Sequence, residues 1–268
     1  MEKLPRNIYE TTADKREIIE GEAERLRNAD FPGYVSRELI GEITPEMRVL
    51  DIGSGENSNL ATLTAEKGAQ YVALDRRLDA LQTLVSSPGW KGTAIQADAT
   101  ELPLRDRSVE ISHARLVHAW LTDEQRIQAI QEMFRVLREG GTFVSIDFDW
   151  ETMEGSPAIM RFAEVATTIL GKVGFDSTYG SHALETVSEA SPSHTSLTER
   201  RFHREAGMFY HEIFDKEGPL SFMANRIQST ELAGEVSQVF KLLREEEQIG
   251  QLQPFVPPDL VGVVGSKR

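Results

Sequence analysis

The run Val49-Leu50-Asp51-Ile52-Gly53-Ser54-Gly55-Glu56-Asn57 constrains this chain more than any other, because an apolar strand carrying a carboxylate is followed at once by two glycines. A strand that turns sharply into a helix needs positions without a Cβ where the backbone bends and where a ligand approaches the main chain. Two further strand ends repeat the theme. Val72-Ala73-Leu74-Asp75 places a carboxylate 24 residues after Asp51, and Gln96-Ala97-Asp98-Ala99 places another 23 residues further on. Asp75 then sits where a carboxylate accepts both hydroxyls of a ribose, and Asp98, beside the small Ala99, can meet an adenine amino group. Together the three ends have the layout of a site for an adenosine-containing cofactor.

The segments around them read as alternating strands and helices. Strand Arg48 to Ile52, helix Ser58 to Lys67, strand Tyr71 to Leu74 and helix Leu78 to Ser86 come first. Strand Thr93 to Ala97, strand Val109 to Ala114, helix Asp123 to Leu137 and strand Thr142 to Asp147 follow. Interleaving at this spacing predicts an α/β fold in which helices cover a parallel sheet. Gly68 and Gly140-Gly141 are expected to stop two of the helices. Upstream, Asp14 to Arg27 has the apolar spacing of an amphipathic helix, Phe31-Pro32-Gly33-Tyr34 breaks it, and a second short helix runs through Leu39 and Ile40. Downstream, the pattern predicts helix Ile159 to Leu170 and a Ser/Thr/His-rich lid or loop from Ser177 to Ser196. A strand from Leu197 to His203, a long helical stretch from Leu220 to Glu246 and a closing strand from Leu260 to Val264 complete the chain.

A chain of 268 residues with 40% hydrophobic content builds one sizeable core with a small appendage rather than two full domains. The expected organisation is one domain over residues 1–268, with a helical cap over 1–45 and a lid insertion over 155–200. The net charge of −14 opposes attraction to a phosphate backbone or an anionic membrane, so neither nucleic acid nor membrane is an expected partner. No run of 18 apolar residues occurs, and Met1-Glu2-Lys3-Leu4-Pro5 lacks the apolar segment of a secretory signal, so a cytoplasmic location is expected. Cysteine is absent, which removes disulfides, thiolate nucleophiles and cysteine-ligated metals. The six histidines show no HExxH spacing and Asp147-Phe148-Asp149 is too little for a cation site, so no metal is expected.

A dinucleotide enzyme competes for the glycine loop, since Gly53, Gly55 and Ser58 approximate GxGxxG and Asp75 lies 20 residues beyond Gly55. Ser58, however, replaces the glycine needed for close helix packing, and Glu56 sets a negative charge where a pyrophosphate would lie. A cofactor with a cationic sulfonium and no phosphate suits that loop better. The run Glu132-Met133-Phe134-Arg135-Val136-Leu137-Arg138-Glu139-Gly140-Gly141-Thr142-Phe143 resembles the helix-to-strand junction of class I S-adenosylmethionine-dependent methyltransferases, particularly small-molecule ones. The resemblance covers roughly Val49 to Asp149. It implies a Rossmann-like, seven-stranded, mostly parallel sheet with helices on both faces and one antiparallel strand near its edge, which Leu260 to Val264 fits. It further implies that Asp51, Gly53 and Gly55 border the methionyl part of S-adenosylmethionine, that Asp75 binds ribose and that Asp98 with Ala99 holds adenine. Arg115, within His113-Ala114-Arg115-Leu116-Val117, would face the methionyl carboxylate.

The departures from the family matter as well. Asn57 stands where the family usually has its third loop glycine, Glu110 replaces the common aspartate of the fourth strand, and Trp120 occupies a place frequently held by histidine. Methyl transfer is an in-line attack on the sulfonium carbon, so the protein must align the nucleophile and take its proton where it carries one. The candidates for that work are His113, His118 and Asp149, with Asp147 beside the last. Tyr34, Trp120 and Trp150 are the candidate acceptor contacts, while His182, His194, Tyr210 and His211 lie in segments that would cover the pocket. Asp14 to Tyr34 and Gly155 to Ser196 are expected to close over the acceptor. The expected function is methyl transfer from S-adenosylmethionine to oxygen, nitrogen or carbon of a small apolar or aromatic metabolite, with homo-oligomer formation left open. The alternatives are a non-catalytic S-adenosylmethionine-binding scaffold acting through a protein partner, and an NAD-dependent dehydrogenase.

Overall fold

Strands of near-continuous apolar sequence need cover on both faces, and the chain supplies it with helices on either side of one sheet. The computed structural model describes residues 34–56, 58–193, 195–203, 213, 216–250 and 256–267. The amphipathic segment Asp14 to Arg27, with Asn57, His194, Tyr210 and His211, lies outside them.

The strands are β1 (Arg48–Ile52), β2 (Gln70–Asp75), β3 (Gly92–Gln96), β4 (Val109–Arg115), β5 (Leu137–Asp149), β6 (Ser196–Phe202) and β7 (Asp259–Ser266). They form a seven-stranded sheet in the order β3-β2-β1-β4-β5-β7-β6. β1 to β5 run parallel, and β7 lies antiparallel between β5 and β6. Helices α1 (Tyr34–Ile40), α2 (Asn59–Glu66) and α3 (Leu78–Val85) supply the buried apolar residues of one face, packing on Val49, Tyr71, Ile111, Val144 and Ile146. Helices α4 (Asp123–Val136) and α6 (Tyr179–Ala190) cover the other, over Leu50, Val72, Ala114 and Phe143.

Local sequence sets the ends of these elements. Thr122 and Gln125 make a reciprocal capping box at the start of α4, with Asp123 and Glu124 in its first turn. At its other end Lys267 donates to the carbonyls of Phe134 (2.6 Å) and Leu137 (2.9 Å). The helix therefore stops at Val136. Gly140-Gly141, expected to end it, lies instead inside β5, where the register against β4 jumps from Val109–Leu137 to Ile111–Thr142. Gly140 N donates to Lys267 O at 2.7 Å, which ties this irregularity to the end of β7.

Two excursions of the chain build a helical cap on this sheet. One follows β5 and contains α5 (Pro157–Lys172); the other joins β6 to β7 and contains α7 (Glu217–Arg226) and α8 (Thr230–Gln248). Both leave the sheet at the end where Asp149 pairs with Asp259 and Phe202 with Leu260. They meet in a bridge between Glu154 and Val256 and share a core that includes Phe162, Ile169, Val236 and Phe240. An Arg161–Glu235 ion pair (2.7 Å) joins α5 to α8. Two sequence expectations change here. The single helical stretch Leu220 to Glu246 is two helices, because Gln228 takes a left-handed conformation (φ 56°) and Ser229 caps a new start through Leu232 N. The stretch Ser177 to Ser196, read as lid or loop, contains α6, whose Tyr179, Ala183 and Val187 are buried in the sheet's own core. Its small and polar residues had masked a helix that packs closely.

How closely is shown by Gly180, where an added Cβ would lie 2.5 Å from Phe148 O and 2.7 Å from its carbonyl carbon. Among the described residues, no helix is long and apolar enough to cross a membrane. Gly180→Ala is expected to destabilise the fold by about 1–3 kcal/mol through this backbone clash. Gly234→Ala, in open space on α8, should instead stabilise it by about 0.5–1 kcal/mol. Denaturant midpoints of the two variants check the contrast.

Candidate active site

At the carboxyl end of β1 the chain turns through Gly53 (φ 66°) and Gly55 (φ 62°), both in the conformation that glycine alone adopts without strain. Gly53 N donates to Leu74 O at 2.7 Å and Ser54 N to the same carbonyl at 3.2 Å, so the loop is laid against the end of β2. A Cβ on Gly53 would meet Val117 Cγ2 at 2.4 Å, whereas Gly55 faces open space. Asp75, half-buried at the end of β2, accepts from Gly55 N (2.9 Å) through one oxygen and from Arg77 N (2.8 Å) through the other. It therefore shapes the loop as well as lying beside it. Asp98 is exposed beyond β3 and accepts from Thr100 N and Thr100 Oγ1. Glu56, expected to leave a bare negative charge in the loop, pairs with Arg77 at 2.8 Å.

Asp51 plays a different part from the one expected of a residue bordering a ligand. It is 3% exposed and accepts from Ser58 Oγ (2.5 Å), Tyr71 Oη (2.7 Å) and His113 Nδ1 (2.8 Å). Burial alone would raise its pKa, but the hydrogen bond and charge of His113, with the two hydroxyls, hold it below the ordinary carboxylate range. An ionised Asp51 fixes the proton of His113 on Nδ1. Nε2 of that ring meets Ser36 Oγ of α1 at 3.0 Å. His113, a candidate base, is thus buried with both nitrogens engaged. Burial and the Asp51 charge push the Tyr71 hydroxyl well up, so it stays a donor. The charge of Arg115, the last residue of β4, offsets a small part of that rise.

On the opposite face, the turn after β4 carries His118 into a second buried cluster. Its Nδ1 lies 2.9 Å from Ser145 Oγ and 3.7 Å from Asp147 Oδ2, both side chains projecting from β5. The rings of His118 and Tyr179 are 5.8 Å apart, and Arg126 stacks over Tyr179 at 4.8 Å while pairing with Asp176. His118 Nε2, Asp147 Oδ2, Tyr179 Oη and Trp150 Nε1 are all buried without a hydrogen-bond partner among the described residues. Such a concentration of unsatisfied atoms is costly unless something polar enters. Burial pushes the Asp147 carboxyl above its ordinary range even with His118 beside it. Trp120 packs edge-on against Phe175 at 4.8 Å and touches the sheet core and the cap. Trp150, at the end of β5, contacts all three apolar clusters of the protein.

The remaining candidates fall elsewhere. Asp149 is buried, pairs with Arg201 of β6 at 2.7 Å and caps the turn after β5 through Glu151 N, so both oxygens are engaged in holding structure. Tyr34 is half exposed and packs edge-on against Phe202 at the β6 side of the sheet. His182 sits 3.8 Å from Asp176, edge-on to Tyr179. Sequence reasoning passed over Ser36, Tyr71 and Tyr179. For Tyr71 a signal existed, since a tyrosine in a buried strand beside one carrying Asp51 needs a partner for its hydroxyl.

Residues 50–145 match the methyltransferase domain family. No curated protein matches the sequence. A protein ascribed to methyl transfer in an antibiotic biosynthesis pathway of Anabaena variabilis superposes with a TM-score of 0.60 at 19% identity, over 89% of this chain and 96% of its own. The YcgJ protein of Bacillus subtilis gives 0.59 at 17%, over 88% and 97%. The cyclase SpnF gives 0.57 at 15%, over 89% and 80%. At these identities the likeness establishes the fold, and the domain match adds the family of its central region. Residues 50–145 thus form a methyltransferase domain, set in the fold of the class I S-adenosylmethionine-dependent methyltransferases.

The methyltransferase loop fits that cofactor in its own geometry. Open space faces Gly55, and Ser54 Oγ and Asn59 Nδ2, at the start of the loop and of α2, are buried with no hydrogen-bond partner among the described residues. Polar atoms of that kind are what an aminocarboxylate satisfies. The dehydrogenase alternative is set aside by the domain match and the antiparallel β7, and not by the charge of Glu56, which Arg77 offsets.

Asp51 and Asp147, both buried, should respond to pH with opposite signs. Asp147 has a raised folded pKa, so its contribution to stability is lost as pH climbs from the ordinary carboxylate range, about 4, through the raised value. Asp51 has a lowered one, so its contribution is present above that range and lost as pH falls through the folded value. Asp147→Asn is therefore expected to be more stable than the parent at neutral pH by roughly 1–3 kcal/mol, with the gap closing below pH about 4. Asp51→Asn should be less stable at neutral pH. Melting temperatures across pH test both, and a gap for Asp147→Asn that narrows as pH rises would mean that His118 keeps the carboxylate ionised.

Proposed function

We propose that the protein transfers a methyl group from S-adenosylmethionine to oxygen, nitrogen or carbon of a small, largely apolar or aromatic metabolite bound between the sheet and the helical cap. The observation that carries this reading is the junction at the ends of β4 and β5, where Trp120 and Trp150 join sheet core to cap above the unsatisfied His118–Asp147–Tyr179 cluster. Aromatic walls with a few convergent polar groups suit a small acceptor. The net charge of −14 supports a metabolite rather than nucleic acid or an anionic membrane. We place the reaction in cytoplasmic small-molecule biosynthesis.

S-Adenosylmethionine, when bound, supplies an electrophilic methyl group on a sulfonium. In this reading the amides of Gly53 and Gly55, with Arg115, take its methionyl end, Asp75 holds the ribose, and Asp98 and Ala99 receive the adenine. His118 is the base for an acceptor that carries a proton, with Nδ1 turned towards Ser145 and Asp147 and Nε2 left for the acceptor. The cap excludes water from the sulfonium and aligns the acceptor. Asp149 and His113 keep the structural roles their contacts give them. The likeness to SpnF, a cyclase, favours one second reading: a cofactor-binding protein that works without transferring the methyl group.

Incubation with methyl-labelled donor and a cell extract separates these readings. Labelled small products are expected; label confined to macromolecules would move the acceptor class, and binding of S-adenosylhomocysteine with no labelled product in any extract would favour the second reading. Asp75→Ala is expected to lose about 2–5 kcal/mol of cofactor binding as charged hydrogen bonds to the ribose disappear. Circular dichroism with calorimetric titration checks this. A folded variant with parental affinity would leave Asp75 the task of holding Gly55 and Arg77 alone.

A further inference from the structure

Ser36, His113 and Asp51 form an unbroken hydrogen-bonded line through the interior, each 3% exposed or less. Their order matches that of a serine nucleophile, its base and its orienting acid. Burial within α1 keeps any substrate carbonyl from Ser36, so the line serves another purpose. Its far end shows which. Asp51 Oδ2 accepts from Ser58 Oγ, and that same hydroxyl oxygen caps α2 by accepting from Leu60 N at 3.2 Å. The loop Gly53 to Ser58 is therefore pinned where it leaves β1 and where it enters α2, and both pins meet at one carboxylate. The orientation of that carboxylate is set by His113, and the ring of His113 is set by Ser36.

We propose that Ser36 and His113 are positioning residues for the cofactor loop, so that the hydroxyl which α1 presents to His113, and not the apolar packing of α1, sets affinity for S-adenosylmethionine. The inference rests on the methyltransferase reading for the identity of the ligand. Its geometry rests only on the relay. α1 adjoins the same line of side chains through Val35 and Leu39, which pack in the apolar cluster on this face. Leu39 belongs to the packing and not to the relay, which makes it the proper reference.

The test uses the full chain with Ser36→Ala, Ser36→Thr, His113→Asn and Leu39→Ala. S-Adenosylhomocysteine affinity is measured by calorimetry, and amide exchange is followed at Gly53 to Glu56 and at Leu60 without ligand. Ser36→Ala is expected to weaken affinity about five- to tenfold, the size of one lost hydrogen bond, and to speed exchange in the loop. Ser36→Thr, which keeps the hydroxyl, should restore both, and His113→Asn, which keeps a donor towards Asp51 but loses Ser36, should behave like Ser36→Ala. Leu39→Ala should lower the melting temperature with affinity within about twofold of the parent. With a labelled-product assay, KM for the donor should rise in Ser36→Ala while kcat at saturation holds. Parental affinity and exchange in Ser36→Ala would overturn the proposal, as would equal losses in Ser36→Ala and Leu39→Ala. Failure of the parent protein to bind S-adenosylhomocysteine would instead overturn the cofactor assignment, and loop exchange would still judge the relay.

Discussion

The Asp51 carboxylate receives a hydroxyl from Ser58, another from Tyr71 and an imidazole N–H from His113, and so joins β1, β2, β4 and the start of α2 at one point. A buried charge of this kind survives only when its partners are complete, and each partner here comes from a different element. Removing the carboxylate leaves three buried donors without an acceptor, and removing any donor leaves a negative charge short of compensation. The glycine loop has little apolar packing of its own. Its shape is inherited from this charge on one side and from Asp75 on the other, which holds Gly55 N and Arg77 N.

The second constraint is how the cap is joined to the sheet. Its helices come from two separate excursions, yet both are rooted at the end of the sheet where β5, β6 and β7 meet. Trp150 lies at that root and contacts the core of each sheet face and the core of the cap. A large aromatic there makes this junction a product of three packed layers. The two regions are thus built by different means: buried polar bonds fix the glycine loop, and apolar contact joins the cap to the sheet.

The glycine loop and the strand ends beside it were legible in the sequence because their signals are local. Strand runs, Gly53 and Gly55, and the carboxylates at successive strand ends all lie within short windows, and the parallel register then brings them together without further information. The relay was not legible, since Ser36 and His113 are 77 residues apart and meet only through the docking of α1. α6 was hidden for a different reason: a helix that lies as close to β5 as Gly180 does carries small and polar residues, and these read as loop. The break at Gln228 was equally silent, because a left-handed glutamine has no sequence signature comparable to glycine. Asp149 and His113 show how far along the chain the partners of a strand-mouth residue can lie, since Arg201 of β6 holds Asp149, and Asp51 of β1 with Ser36 of α1 holds His113.

The position of β7 has a consequence for how the chain reaches this state. β7 lies between β5 and β6, which precede it in sequence, so both strands are laid down before the strand that separates them. Until β7 arrives, β5 and β6 each present an open backbone edge, and the whole of α7 and α8 must be made in the interval. The sheet therefore completes itself last at a position one strand in from its edge. During synthesis those edges are the places where a second nascent chain, or a chaperone, has most to grip.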